Sequence, residues 1–334
     1  PTVPQTTRRL FAQVRTYQDL LQDAHDEAVF EYYGKSQLAV VNAASGVVRQ
    51  LGKPALHSRV SPSPDGTMLL LDVVERPFSF VVPARSFPRR TTVCDMQGKV
   101  LRELFLSRLA DAVPIGGVPK GPRGVSWLAT AQHALYWSEA QDDGDPKVKV
   151  PHRDYVFVLA EPSDSPNLWY KTEFRSRGAQ FSGDGKLVLT TEADRQTRMQ
   201  RVWRRDLSKI GESGELVSER SMQDAYGDPG RPVAEKTLDG RSVLRALDGK
   251  LFLSGSGASP KGNRPFLDSW VVETGEKERL FESAEGRYET FFGFVGPSAK
   301  HYIVRSESRK EPPQLVYVDA EAGTRRVLHT FEDP

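Results

Sequence analysis

The sequence predicts an all-β protein built from repeated four-stranded antiparallel sheets. Short runs of β-branched and aromatic residues alternate with clusters of Gly, Asp, Asn and Pro along most of the 334 residues, which is the pattern of strands separated by turns. The strands recur in sets of four, with corresponding turns about 50–65 residues apart, near the upper end of the spacing of propeller blades. Helical periodicity is scarce. Together these observations favour a β-propeller of four-stranded antiparallel blades.

Four apolar runs represent the predicted strands. They lie at residues 69–74, 134–137, 187–190 and 302–304. Leu, Val, Ile, Tyr and Trp dominate them, and short apolar runs bounded by turn residues are typical of buried strands. The one segment with helical spacing is 16–33, in which Tyr17, Leu20, Leu21, Ala24 and Ala28 share a face. We expect helix to be almost confined to that segment.

Tight turns divide each set of strands, because Gly and Asp supply the positive φ or the side-chain bond that such turns require. Turns between first and second strands are predicted at Pro64-Asp65-Gly66, Gly183-Asp184-Gly185 and Asp248-Gly249, with weaker ones at 131–133 and 297–299. Turns between third and fourth strands are predicted at 97–98, 213–214, 274–275 and 322–323, with a looser one near Asp164.

Counting these sets predicts five whole blades and part of another. The whole blades span about residues 56–105, 123–171, 178–218, 241–281 and 288–328. Before them, residues 36–42 and 47–50 form only an outer hairpin, closed through Ser45-Gly46. We expect residues 1–35 to be a loop and helix insertion of this incomplete blade, and residues 36–334 to hold the blades. Because five and a half blades do not close a ring, we expect further sequence on the N-terminal side.

Loop lengths predict which end of the blades carries function. In a four-stranded antiparallel blade, the first-to-second and third-to-fourth turns share one end, whereas the second-to-third loops and the crossings between blades share the other. The long loops all belong to this second group: 74–90, 107–122, 139–153, 219–240, 255–265 and 305–314. Loops that a rigid scaffold presents together commonly carry function, so we expect this end to meet a substrate or partner.

Composition argues against several classes of protein. There are 46 Lys and Arg against 44 Asp and Glu, a net charge of +2, and the basic residues are dispersed, unlike those of nucleic-acid or membrane-surface proteins. Cys94 is the only cysteine, which excludes an internal disulfide and fits a reducing compartment. The six histidines show no metal-ligand spacing, and no apolar run reaches the ~18 residues that span a bilayer. We expect a soluble protein without cofactor or metal.

One acidic cluster, Asp142-Asp143-Gly144-Asp145, has the oxygen donors that calcium prefers. It lacks the later bidentate Glu of an EF-hand loop. We therefore interpret it as a solvated acidic loop, with calcium binding as the alternative.

The long loops also carry recognisable motifs. They read RTYQDLL at 15–21, RPFSFVVP at 76–83, RSFPR at 85–89, GDP at 144–146, YGDPG at 226–230 and GASPKGNRPFLD at 257–268. In this order, and over almost the whole chain, they resemble the chloroplast-type glutamyl endopeptidases and their bacterial relatives, which belong to the prolyl oligopeptidase family of serine peptidases. Glu75, where that family commonly has His, and Lys261, where it has an acidic residue, are departures that bear on substrate preference.

The resemblance implies a seven-bladed propeller, an α/β-hydrolase domain after residue 334, and cleavage of peptides after glutamate. It implies the cytoplasm or periplasm for a bacterial protein and the chloroplast stroma for a plant protein. A hydrolase of this kind needs a Gly-x-Ser-x-Gly nucleophile elbow, and this chain contains none. We therefore expect no catalytic residue in this chain and no turnover by the chain alone.

Four arginines are candidate ligands for a substrate carboxylate, because the planar guanidinium gives two parallel charge-assisted hydrogen bonds. They lie on the long loops: Arg76, Arg85, Arg89 and Arg264. We expect Phe78, Phe80 and Phe87 to anchor the first of these loops and leave its guanidiniums free. The alternative is that each arginine holds a neighbouring loop through a carbonyl or an acid.

Two classes of function remain open. The first is the non-catalytic domain that gates access of peptides to the active site of a serine peptidase, with the downstream hydrolase domain and peptide substrates as its partners. The second is a stand-alone propeller that binds a protein or glycan through its long loops, since propellers serve unrelated functions. Neither involves nucleic acid or a membrane.

Overall fold

A computed structural model describes residues 17–332 except 208, 210, 212, 238 and 239. Within these residues the secondary structure is one α-helix, one turn of 3-10 helix at Ala84–Ser86 and twenty-five strands. The strands form antiparallel sheets, of which most have four strands. The predicted fold class, an all-β propeller of four-stranded antiparallel blades, is confirmed. None of the described residues lies in a helix long and apolar enough to cross a membrane.

The chain divides into two compact units. Unit 1 contains the described residues up to Ser176, together with Gly211, and unit 2 contains the others from Arg177 onward. Unit 1 begins with α1 (Ala24–Gly34) and the hairpin of β1 (Ser36–Val41) and β2 (Val48–Ala55).

Two four-stranded sheets complete unit 1, and each joins its strands in chain order. The first sheet contains β3 (His57–Pro62), β4 (Met68–Val74), β5 (Arg89–Asp95) and β6 (Val100–Leu106). The second contains β7 (Pro122–Trp127), β8 (Leu135–Ala140), β9 (Asp154–Leu159) and β10 (Asn167–Thr172). Leu70 and Val93 of the first sheet pack with Val125, Leu135 and Leu159 of the second in one buried cluster. The sheets therefore pack face to face, as neighbouring blades do.

Unit 2 contains three sheets of the same kind. The first contains β11 (Arg175–Phe181), β12 (Val188–Ala193), β13 (Met199–Arg205) and β14 (Glu215–Ser221). The second contains β15 (Arg231–Pro232), β18 (Ala246–Leu247), β19 (Lys250–Gly255), β20 (Phe266–Val271) and β21 (Lys277–Glu282), and between its first two strands lies the hairpin of β16 (Ala234–Lys236) and β17 (Ser242–Leu244). The third contains β22 (Tyr288–Phe294), β23 (His301–Glu307), β24 (Gln314–Asp319) and β25 (Thr324–Thr330). Phe252 and Leu267 pack against Tyr302 and Val304 across the last two sheets.

The four predicted strands are confirmed as β4, β8, β12 and β23. Most of their apolar residues are buried, and Leu70, Val188 and Val304 are fully enclosed. The predicted turn chemistry is also present, since Gly66, Gly98, Gly185, Gly249 and Gly323 all have positive φ. The tight turn predicted at 213–214 is wrong, because β13 ends at Arg205 and β14 begins only at Glu215.

The predicted helix at 16–33 is wrong at its start. Residue 16 lies outside the described residues, and residues 17–23 are not helical. Asp19 has a φ of 55°, which an α-helix does not allow. The helix begins after Asp23, whose side chain accepts the backbone N–H of Asp26 as an N-cap. Tyr17 and Leu21 pack instead against an apolar cluster beneath the loop after β4.

The predicted fourth blade, 241–281, is wrong at its N-terminal edge. Its innermost strand is split, because β15 and β18 each pair with part of β19. The hairpin of β16 and β17 is inserted between the two halves, so this sheet begins at Arg231. The segment 219–240, expected to be loop, therefore contains the end of β14, β15 and β16. The assignment of residues 1–35 to an incomplete blade stays a prediction.

Candidate functional site: two long-loop surfaces

Three long loops of unit 1 form one surface. We name them loop A (residues 75–88, after β4), loop B (107–121, after β6) and loop C (141–153, after β8). The backbone N–H of Ala110 in loop B donates to the carbonyl of Ser86 in loop A at 2.9 Å. The N–H of Val118 in loop B donates to the carbonyl of Gly144 in loop C at 3.0 Å. The structure thus brings together three of the loops that the sequence placed at one end of the blades.

Loop A is built on a buried aromatic cluster. The rings of Phe78 and Phe87 stack with centroids 5.3 Å apart, and Phe30 of α1 meets both edge-on at 5.1 and 5.8 Å. Val82 is almost fully buried beside them. Two of the three predicted anchors are therefore in place. The third, Phe80, is wrong, because 47% of it is exposed at the tip of the loop.

Arg76 is held by helix α1. Its Nη1 contacts Glu27 at 2.7 Å and its Nη2 contacts Glu31 at 2.8 Å. Its guanidinium also lies 4.5 Å from the centroid of the Phe78 ring. The hydrogen bonds that Arg76 donates, first to Glu27 and then to Glu31, raise the pKa of Arg76. The structure thus places this candidate in contacts that dock α1 onto loop A, as the structural alternative expected.

The other two arginines of this segment differ in exposure. Arg89 begins β5, where its Nη2 donates to the carbonyl of Ala84 at 3.3 Å, and its buried Nε has no hydrogen-bond partner among the described residues. Arg85 is exposed, and its guanidinium lies 5.0 Å from the centroid of the Tyr17 ring. Within the described part of the chain, Arg85 has no ion-pair partner. Arg76 is also exposed, so Arg85 differs from it in lacking a described ion-pair partner.

Glu75, the departure from the family pattern, has a local partner that the sequence did not reveal. Its carboxylate contacts the Nε of Arg90 on β5 at 2.6 Å, and Arg90 also pairs with Glu103 on β6. Arg90 directly follows Arg89 at the start of β5, so no sequence pattern distinguishes the two arginines. The pair fixes the start of loop A to the sheet.

Loop C is fixed by a buried network of charges. Asp142, only 1% exposed, accepts hydrogen bonds from Arg153 at 2.8 Å and from Arg175 at 2.5 Å. Arg175 reaches Asp154 at 2.7 Å with its other nitrogen, and Arg123 reaches Asp154 at 2.6 Å. Burial would raise the pKa of Asp142, but the guanidinium of Arg175 outweighs it, and the pKa lies below its usual range.

The interpretation of residues 142–145 as a solvated loop is therefore wrong for Asp142, whose side chain is buried. Its oxygens are engaged by Arg153, Arg175 and the backbone N–H of Gly144. No group of metal-ligating side chains occurs among the residues that the structure describes. Asp143, by contrast, is exposed and pairs with Lys120 at 2.8 Å.

Unit 2 has a second loop surface, formed by residues 194–198, 222–230 and 256–265. The N–H of Met222 donates to the carbonyl of Arg198 at 2.7 Å, and Arg220 contacts Asp228 at 3.0 Å, which orders the YGDPG motif. Arg264, the fourth candidate, contacts Glu282 at 2.7 Å and the carbonyl of Ser283 at 3.1 Å. About half of its side chain, 51%, remains exposed.

The side chains exposed on these surfaces are suited to binding a ligand. The unit 1 surface exposes the apolar side chains of Phe80, Val81, Ile115 and Val148. It also exposes four cations for which no ion pair is found in the described residues: Arg85, Arg108, Lys147 and Lys149. Exposed apolar side chains with unpaired cations suit a peptide or protein ligand that carries acidic groups.

Comparison with known proteins gives the chain its relatives. No protein-family model matches it. It is 37% identical over 286 residues to a probable chloroplastic glutamyl endopeptidase of Oryza sativa subsp. japonica, covering 83% of this chain and 30% of the relative. It is 36% identical over 302 residues to a protein of the same description from Arabidopsis thaliana, covering 86% and 31%.

Among solved structures, the chain is similar to the β-propeller domain of the Trilobed protease from Pyrococcus furiosus, with 12% identity and a TM-score of 0.44. That match covers 90% of this chain and 78% of the other. The curated relatives are about three times as long as the segment they share with this chain. The chain is therefore similar to a segment that makes up about 30% of the length of these probable glutamyl endopeptidases.

Proposed function

We propose that this chain is the non-catalytic, substrate-gating propeller of a serine peptidase that cleaves peptides after glutamate. The observation that carries the proposal is the 36–37% identity to relatives named glutamyl endopeptidases. The chain has no Gly-x-Ser-x-Gly elbow, so the nucleophile and its partners are assigned to an α/β-hydrolase domain after residue 334. The unit 1 loop surface would then face that domain and the entering peptide.

The experiment compares the isolated chain with the longer protein that includes the downstream sequence. Both are assayed against a fluorogenic peptide containing one glutamate. We expect turnover by the longer protein, its loss with a serine-directed inhibitor, and none by the isolated chain. Inhibitor-sensitive turnover by the isolated chain would contradict the proposal. A longer protein that binds peptides or glycans without cleaving them would favour the stand-alone binding function.

Within this function we propose Arg85 as the residue that meets the substrate carboxylate. It is supported by its exposure and by the lack of a described ion-pair partner, whereas Arg76 and Arg264 each pair with glutamate. Losing a charge-assisted carboxylate contact costs about 1.5–3 kcal/mol, or roughly ten- to a hundred-fold in binding. Arg85→Ala in the longer protein should therefore lower kcat/KM for a glutamate peptide by that factor, and much less for its glutamine analogue.

The matched controls are Arg108→Ala, another exposed cation of the same surface, and Arg76→Ala. We expect Arg76→Ala to change kcat/KM for both peptides by the same factor, because the guanidinium of Arg76 is paired with Glu27 and Glu31. If Arg85→Ala also lowers kcat/KM equally for the glutamate and the glutamine peptide, Arg85 does not bind the substrate carboxylate.

A further inference from the structure

His133 joins three turns at the end of unit 1 opposite the long loops. It lies in the turn between β7 and β8. Its Nδ1 lies 2.8 Å from Oδ2 of Asp65, in the turn between β3 and β4, and its Nε2 lies 2.8 Å from both oxygens of Glu161, in the turn between β9 and β10. Only 16% of its side chain is exposed. One imidazole thus connects turns of both four-stranded sheets.

The two contacts require a protonated ring. A neutral imidazole has one N–H, so one of its nitrogens would present a lone pair to a carboxylate. The imidazolium has two N–H groups and donates to both sides. Because both ring nitrogens face carboxylate oxygens at 2.8 Å, the geometry itself selects the charged form.

The two carboxylates are held unequally. Asp65 also accepts hydrogen bonds from the hydroxyls of Ser63 and Thr67 and from the N–H of Thr67. Glu161 is 53% exposed, and in the described structure its carboxylate contacts His133 alone. The other charged groups at these turns are Asp164, which is exposed in the β9–β10 turn, and Arg102 of β6, which donates to the carbonyls of Pro162 and Asp164 at 2.7 and 2.5 Å. When the ring loses its proton, Glu161 is therefore the partner that is released.

We propose that His133 is a proton-dependent clamp on the β9–β10 turn, residues 160–166: it adds a tie through Glu161 to the hold of Arg102 on this turn, and that tie is released when the imidazolium is deprotonated. Asp65, and then Glu161, raise the pKa of His133 above its ordinary value. A group whose pKa is raised by folding adds stability that is complete below the unfolded pKa of about 6.5. That stability is lost as the pH rises through the folded pKa, so the turn loosens on the alkaline side.

The first test is the titration of the imidazole rings by NMR in the full chain, with His133→Gln used to assign the signal. We expect His133 to titrate above the ordinary range of histidine, and Glu161→Gln to lower the pKa of His133 because it removes one of the two facing charges. An ordinary pKa for His133 that Glu161→Gln leaves unchanged would overturn the clamp.

The second test measures amide hydrogen exchange of residues 160–166 in the wild type and in His133→Gln at the same pH. At pH 6 we expect the variant to exchange several-fold faster in this turn, and above about pH 9 we expect the two proteins to exchange alike. His301→Gln should leave the turn unaffected at both values. Equal exchange at pH 6, or a difference that persists unchanged at alkaline pH, would contradict the proposal. Far-UV circular dichroism verifies that both variants are folded.

Discussion

Arg175 lies at the start of β11, and its guanidinium is shared between the buried carboxylates of Asp142 and Asp154. Burying a charge costs free energy unless the charge is paired and hydrogen-bonded. Here each carboxylate meets two guanidiniums, so the charges are compensated within unit 1. Removing Arg175 leaves both carboxylates short of a partner in a buried site.

We therefore expect Arg175→Met to lower the free energy of unfolding by about 3–5 kcal/mol, the usual cost of breaking a buried ion pair. The matched control is Arg305→Met, because Arg305 pairs with Glu307 at 3.0 Å but is 48% exposed. Exposed pairs contribute about 0–1 kcal/mol. Urea unfolding followed by tryptophan fluorescence measures both variants, and equal losses would show that the network is not stabilising.

Within loop A, we expect Phe87 to contribute to the stability of the fold and Phe80 to contribute little to it. Phe87 is 2% exposed and contacts two other rings, whereas Phe80 is 47% exposed. Truncating a buried Phe costs about 3–5 kcal/mol, so Phe87→Ala should destabilise the chain by that amount. Phe80→Ala should change stability by less than about 0.5 kcal/mol. Thermal unfolding measures both, and a comparable loss for Phe80→Ala would mean that its ring is packed in solution.

At the scale of elements, the backbone of loop C at Gly144 lies so close to the backbone of loop B at Val118 that only glycine fits there. Gly144 has a φ of 78°, and a Cβ there would lie 2.0 Å from the carbonyl oxygen of Val118. Gly124 has a similar φ of 63°, but no atom lies within 4 Å of the position of its Cβ. The two glycines share the backbone conformation and differ in the space around them.

Gly124→Ala should cost about 1–2 kcal/mol, the strain of positive φ alone. Gly144→Ala should cost more and should separate loop C from loop B, since the Val118 backbone has to move. Limited trypsin digestion reports the separation, because loop C carries the exposed Lys147 and Lys149. We expect faster cleavage there in Gly144→Ala and unchanged cleavage in Gly124→Ala. Identical cleavage in the two variants would show that the contact does not hold the loop.

For the whole molecule, the buried carboxylates predict acid sensitivity. Glu289 of unit 2 is fully buried, and although burial raises its pKa, the hydrogen bond from Arg325 outweighs this and leaves the pKa lowered, as for Asp142 in unit 1. A carboxyl whose pKa is lowered by folding adds stability that is present above its unfolded pKa of about 4 and is lost as the pH falls. The pH dependence of stability is thus opposite to that expected for His133, whose contribution is lost as the pH rises.

We therefore expect the free energy of unfolding to fall below about pH 5. We also expect the stability gap between the wild type and Glu289→Gln to narrow over the same range. Urea titrations from pH 7 to pH 3 measure both quantities. A gap that stays constant to pH 3 would show that Glu289 is not ionised in the folded chain at neutral pH.

Prediction from sequence succeeded where the signal is local. Leu70 and Val304 lie in short apolar runs, and Gly66 and Gly185 lie in turns that need positive φ. It failed where contacts between residues far apart in the chain determine the local conformation. Local spacing extended the helix back to residue 16, but Tyr17 packs into a cluster with Phe78 and Phe87 instead.

By itself, the sequence determined the fold class, the resemblance to glutamyl endopeptidases, most of the strand sets and the end of the blades that carries the long loops. Turn chemistry and apolar runs act over a few residues, so they can be recognised in the chain. Only the tertiary structure decided which charges are free. Arg76 meets Glu27, which lies 49 residues away in the chain, and Arg175 meets Asp142 at a separation of 33. The four loop arginines look alike in sequence. In the folded chain, Arg76 and Arg264 pair with glutamate and the Nε of Arg89 is buried, whereas Arg85 is exposed without a described ion-pair partner. Sequence cannot show this difference, because such pairing depends on the approach of remote segments.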